Sequence, residues 1–232
     1  MLKKFQKDIW IKDYPLSFMG IPLGTKMTVV RYAENKIVLI SPVPLDEQEV
    51  LQIRDLGAVF YIIAPNNFHH LFVAETKEKF SEAKVLCSLG LEKKRSDIAF
   101  DEVIQEPKDL EGGLTLLPLV GFGVLMPSGR QPVNEIVIYH PPSKTLILTD
   151  LVININRNSS FQLKIAGRFL GIYEKLQPSR LEKLGTKNRQ SLAPQFKKVL
   201  SYDFDKIVPA HGEPIVADAK KRLQEGLARF LS

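Results

Sequence analysis

His69 and His70 stand side by side in "IIAPNNFHHLF", and they are half of the four histidines in a chain of 232 residues. Asp150 closes "KTLILTD", and His211 follows the apolar "DKIVPA". All three segments share one pattern: an apolar run, then a side chain able to ligate a metal. Imidazole nitrogen and carboxylate oxygen are the donors that borderline ions such as zinc and iron accept. The chemistry in view is therefore metal chemistry, provided that the fold brings these residues to one place.

The elements that must do so alternate along the chain. "MTVVRYA" and "KIVLISP" read as strands joined by a polar turn at Glu34–Asn35. "PLDEQEVLQIRDLG" reads as a helix with Leu45, Val50, Leu51 and Ile53 on one face, an acidic first turn and a closing glycine. Strand "AVFYIIA", a helix from about Phe68 to Phe80 and strand "KVLC" follow. "LTLLPLVG", "NEIVIYH" and "TLILTD" are further strands, the last two joined by a turn at "PPSK". After Asp150 the pattern turns helical in "SSFQLKIAGRFLGIYEKL", "PSRLEKLG" and "RQSLAPQFKKVLSY", where Pro194 ends or kinks the helix. Strand "KIVPA" and a helix from about Val216 close the chain. Strands alternating with helices, with consecutive strands in the middle, indicate a layered α/β sandwich with mixed sheets. The candidate ligands fall just after strands, where α/β proteins gather their sites.

Taken together, the three segments resemble the metallo-β-lactamase superfamily, whose fold is a four-layer αβ/βα sandwich of two mixed β-sheets flanked by helices. "TLILTDLV" is similar to the family's strand ending in an aspartate that bridges two metals, and "IVPAHGEP" to its last motif, a strand running into His-Gly. "FYIIAPNNFHH" falls where the family carries His-x-His-x-Asp-His. The resemblance runs from about Met27 to Glu213, and "PNNFHH" with "TLILTDL" is similar to a branch that is a domain of unknown function. The chain also departs from the pattern. Pro65 and Asn67 hold the first two histidine positions, His69 holds the aspartate position, and Gln131 lies nearest the third-motif histidine. The resemblance thus implies a degenerate site. The first metal is lost, and His69, His70, Asp150 and His211 stand at the positions of the second. It implies one zinc or iron ion, or none if the site is vestigial and the histidine pair is packed at a helix start. It further implies hydrolysis of a small ester, thioester or phosphoester. The alternative is a non-catalytic module binding an anionic metabolite in a cleft fringed by Asn66, Asn67 and Arg130. Ser41 stands where the family often braces the metal with an aspartate. Glu135 is a proton-donor candidate by position, and Glu213 either orients His211 or caps the next turn.

Composition bounds the rest. Apolar content of 44% and charged content of 25% are ordinary for a soluble protein, and residues 1–232 are read as one domain. The lone Cys87 can form no internal bridge, which suggests a reducing compartment, and it reads as a small buried residue. With no signal peptide and no apolar run of spanning length, the expected location is cytoplasmic, without membrane association. The net charge of +6 comes from scattered lysines and arginines, a solvated surface rather than a nucleic-acid footprint. His140 reads as a turn histidine. Phe161, Phe169, Ile172 and Tyr173 read as core or interface, and residues 154–162 as a lid or a loop whose Ser159 or Ser160 caps a helix.

Overall fold

The computed structural model describes all residues 1–232. Its first sheet has seven strands in chain order: β1 Lys3–Gln6, β2 Ile9–Tyr14, β3 Thr25–Ala33, β4 Lys36–Ile40, β5 Ala58–Ala64, β6 Lys84–Ser88 and β7 Glu102–Ile104. The second has five in the order β14-β13-β12-β9-β8: β8 Lys108–Asp109, β9 Thr115–Pro118, β12 Ile136–His140, β13 Thr145–Leu148 and β14 Lys206–Pro209. A hairpin of β10 Gly123–Met126 and β11 Gly129–Pro132 stands beside them. The helices are α1 Glu47–Leu56, α2 Val73–Lys79, α3 Leu91–Lys94, α4 Phe161–Leu170, α5 Arg180–Gly185, α6 Ala193–Ser201 and α7 Ala219–Leu231.

Alternating side chains divide the interior into three cores. On β3 and β4, Met27, Val29, Ile37 and Leu39 face the helical layer of α1 and α2, while Val30, Val38 and Ile40 face the second sheet. Ile136, Ile138, Ile147 and Val208 meet them from that sheet. On its outer side, Val137, Leu146 and Ile207 pack with Phe196 of α6 and Leu223, Leu227 and Phe230 of α7. Three cores separated by two sheets make four layers, the αβ/βα sandwich. Strands buried on both faces read as unbroken apolar runs, which is why "VVRYA" and "KIVLI" carry so few polar residues.

Two parallel pairs point the site residues the same way. β4 runs parallel to β5, with Ile40 opposite Ile63, and β13 runs parallel to β14, with Leu148 opposite Pro209. The carboxyl ends of both pairs open at one edge of the sandwich. No helix is long and apolar enough to cross a membrane.

Several local expectations are corrected. Leu51 is exposed, so α1 buries Ile53 and leaves Leu51 on its water-facing side. The helix expected from about Phe68 begins only at Val73, because Asn66 folds the intervening residues into a turn. Pro194 neither kinks nor ends α6: it lies in the first turn, where its missing N–H costs nothing. Phe161 and Phe169 are exposed, whereas Ile172 is buried. His140 is a strand residue, buried, with its Nδ1 against Ser143 Oγ at 2.7 Å.

Candidate metal centre

Three of the four candidate ligands meet. Nε2 of His69 and Nε2 of His211 are 3.2 Å apart, and they lie 3.4 Å and 3.2 Å from Oδ1 of Asp150. A tetrahedral ion with bonds of about 2.0–2.1 Å would hold such donors about 3.3 Å apart. The three atoms are thus spaced as the edges of one face of a tetrahedron, and no fourth histidine, cysteine or carboxylate joins the group.

Each ligand is aimed by a partner behind it. Nδ1 of His211 donates to the carbonyl oxygen of Gly24 at 2.6 Å. A carbonyl only accepts, so the neutral ring is fixed with its Nε2 lone pair facing the other two residues. Nδ1 of His69 lies 2.6 Å from Oγ of Ser41. Asn66 Nδ2 donates to Asp150 Oδ2 at 2.8 Å and leaves Oδ1 turned to the imidazoles. The Asn66 carbonyl oxygen accepts the N–H groups of Phe68 and His69, forming the turn that carries His69 inward. Such outer hydrogen bonds are what orient metal ligands in general.

The backbone around the aspartate is held from below. Glu135 is fully buried, and its carboxylate accepts the N–H groups of Thr149, Asp150 and Leu151 at 2.6–2.8 Å. Burial, with the Asp150 charge nearby, raises its pKa to about 7. It is a brace beneath the site and does not reach the cavity, which corrects its expected role as proton donor. Burial also works against the charge of Asp150, but the adjacent imidazoles outweigh it and hold that carboxyl well below the usual range. Gly212 has φ +86°, and a side chain there would collide with the Asn154 carbonyl, so the residue after His211 must be glycine. The hydrogen-bond partners of the His211 ring are Gly24 and His69, not Glu213, whose backbone carbonyl accepts from Asn154 Nδ2.

His70 stands apart from the expected four-ligand set. Its Nδ1 takes a hydrogen bond from Arg95 Nη1 at 2.8 Å. With Nδ1 accepting, the neutral ring carries its proton on Nε2, and neither nitrogen has a lone pair free for an ion. Burial, then Lys94 and Arg95, lowers its pKa to about 4, which keeps it neutral. No local pattern signals this, because the decisive partner is 25 residues away.

The cluster lies in a cavity of about 450 Å³. Asn66, Asn67 and Arg130 do not fringe it: the two asparagines are buried behind it, and Arg130 bonds the Leu184 carbonyl on the surface. Seventeen of its 27 lining residues are hydrophobic, so the polar cleft expected for an anionic metabolite is absent. Sequence reasoning also missed Glu182, which lines this cavity. Burial, with a contribution from Asp150, raises its pKa to about 7.

The profile of DUF4336, a domain of unknown function, matches residues 6–170. No curated protein matches the sequence. Among solved structures, a metallo-β-lactamase from Pontibacter korlensis is similar at 16% identity and a TM-score of 0.65, covering 99% of this chain and 98% of its own. The metallo-β-lactamase FIM-1 from Pseudomonas aeruginosa, in its mono-zinc form, has 10% identity and a TM-score of 0.60 over 99% and 94%. The metal-soaked Flv1 flavodiiron core from Synechocystis has 15% identity and a TM-score of 0.66, covering all of this chain and 60% of its own. At these identities the likeness is one of fold.

Proposed function

Because the chain belongs to the DUF4336 family and has the metallo-β-lactamase fold, we propose that it is a single-metal hydrolase acting as one domain, with His69, Asp150 and His211 as the ligands. The observation that carries this is the mutual spacing of the three donor atoms, 3.2–3.4 Å, with each ligand aimed by its own partner. Two neutral nitrogens and one carboxylate suit zinc or ferrous iron, and a mono-zinc form exists in the related fold. A bound ion supplies Lewis acidity and brings the pKa of water towards neutrality.

The chain's own residues do the rest. His69, Asp150 and His211 would hold the ion, and all three line the cavity through which an ester, thioester or phosphoester can approach. Asp150 stays ionised at any neutral pH, and Gly24 keeps the His211 proton on Nδ1, so these two donors need no rearrangement. Glu182 lines the same cavity with a pKa near 7, which lets it hold a proton for a departing alcohol or thiol oxygen or sulfur.

Metal analysis after purification without chelator tests the reading. Near one equivalent of zinc or iron is expected in the wild type and in His70→Ala, and almost none in His69→Ala or His211→Ala. A chain that takes up no metal when both ions are supplied would falsify it, as would loss of metal in His70→Ala. Glu182→Gln separately tests the acid. Glutamine keeps the capping box with Ser179, so stability should hold while kcat falls about 10²–10⁴-fold and the alkaline limb of the pH profile disappears.

A further inference from the structure

Beyond the metal ligands, the most informative feature is how polarity is distributed over the cavity wall. The charged and polar lining is His69, Asp150, His211 and Ser41 at the metal centre, together with Thr25, His70, Lys94, Ser179 and Glu182. Lys94 is itself tied down, donating to the Asn67 carbonyl at 2.6 Å and lying over the Phe68 ring. The remaining wall is apolar. Leu163, Ala166 and Leu170 of α4, spaced three and four apart, line one side as a single helical face. Leu16 and Ile21, from the turn between β2 and β3, and Met126 of β10 also line the wall. Phe18 and Leu71 line the cavity as well, yet they are 41% and 56% exposed, so they mark its mouth.

A cavity with a polar metal centre and a continuous apolar helix face along one side fits a molecule divided in the same way. We propose that it takes an amphiphilic ester or thioester. The apolar acyl chain lies along Leu163, Ala166 and Leu170, and the carbonyl reaches the metal centre. This rests on the single-metal reading for the reaction, but not for binding of the chain. Hydrolysis adds water across the acyl–oxygen or acyl–sulfur bond: hydroxyl goes to the acyl carbon and the proton to the departing alcohol or thiol. At about 450 Å³ the cavity is within the range that buries most of a small ligand.

Straight-chain fatty acids of six to twelve carbons serve as probes, with binding measured by calorimetry. The measurement is made on zinc-loaded protein and on the His69→Ala, His211→Ala double variant. Affinity should climb about 3- to 4-fold per added methylene in both. Ala166→Trp, which fills the apolar side, should flatten that climb. Leu170→Asn, a smaller change at the same face, should reduce it if the tryptophan variant fails to fold. Hydrolysis of p-nitrophenyl esters should follow the same order of chain length in the metal-loaded wild type. Equal affinity at all lengths, or a climb unchanged in the folded α4 variants, overturns the proposal. A climb that persists in a protein that never binds metal supports the acyl cavity and sinks only the hydrolase reading.

Discussion

At the scale of single residues, Ser41 sets how firmly the site is poised. Its backbone has φ +54°, an uncommon conformation for a residue with a side chain, and it aims Oγ at Nδ1 of His69. A hydroxyl both gives and takes a hydrogen bond, so it serves His69 in either tautomer. Without an ion, Ser41 donates to Nδ1, and Nε2–H of His69 faces His211. With an ion, Nδ1–H donates to Ser41 and Nε2 is free to ligate. An aspartate could only accept and would hold the ligating tautomer throughout. Ser41→Ala should therefore weaken metal binding about 10- to 100-fold, and Ser41→Asp should tighten it. Aspartate also tolerates the positive φ. Competition with a fluorescent zinc chelator measures both. Equal affinities in the three proteins would remove Ser41 from the site.

At the scale of elements, the strands were legible and the turn at the site was not. β3, β4, β5, β12, β13 and β14 were readable because apolar runs between turn residues have few other solutions. β1, β2 and the β10–β11 hairpin escaped notice, since their strands are short or mix charged residues with apolar ones. The pattern of "FHHLFVAETKEKF" suggests a helix from about Phe68, and only the family resemblance sets both histidines at one metal. Asn66 instead takes the first two N–H groups for its own side chain, and the helix starts after Phe72. That local hydrogen bonding sends His69 towards His211 and His70 towards Arg95. Asp150 and His211 were readable as candidates because they fall just after strands. Glu135, Gly24 and Glu182 act through the folded chain, at sequence distances no local pattern records. The exposed Phe161 and Phe169 show the limit of helical spacing as a guide: α4 has one apolar face lining the cavity and another open to solvent.

At the scale of the whole molecule, the ligands come from both sheets: His69 follows β5 of the first, and Asp150 and His211 follow β13 and β14 of the second. An ion held there ties the two halves of the sandwich together. Free zinc at 100 times its dissociation constant should stabilise the fold by about 2.7 kcal/mol, a rise of about 5–10 °C in Tm for a chain of this size. Asp150→Asn should lose most of that rise in a thermal melt; a full rise in the variant would place the ion elsewhere. Acid should weaken the fold in two windows. Burial lowers the pKa of His140 to about 4, so between about pH 6.5 and 4 the unfolded chain takes a proton that the folded chain refuses. Burial opposes the charge of Glu49, but the Lys12 ammonium prevails and its pKa falls to about 2. Stability is therefore lost again from about pH 4.5 downward. Glu135 and Glu182, raised to about 7, act in the opposite sense and favour the fold on the acid side of that value. Urea midpoints of His140→Gln and Glu49→Gln, compared with wild type at each pH, isolate the two windows. Parallel curves for wild type and variants would remove these groups as the cause. The Gly24 carbonyl that orients His211 sits beside Leu23 and Thr25, both on the cavity wall. A guest pressing on that wall therefore bears on the hydrogen bond that sets a metal ligand. By reciprocity, whatever factor the guest adds to the affinity for the ion, the ion returns to the affinity for the guest.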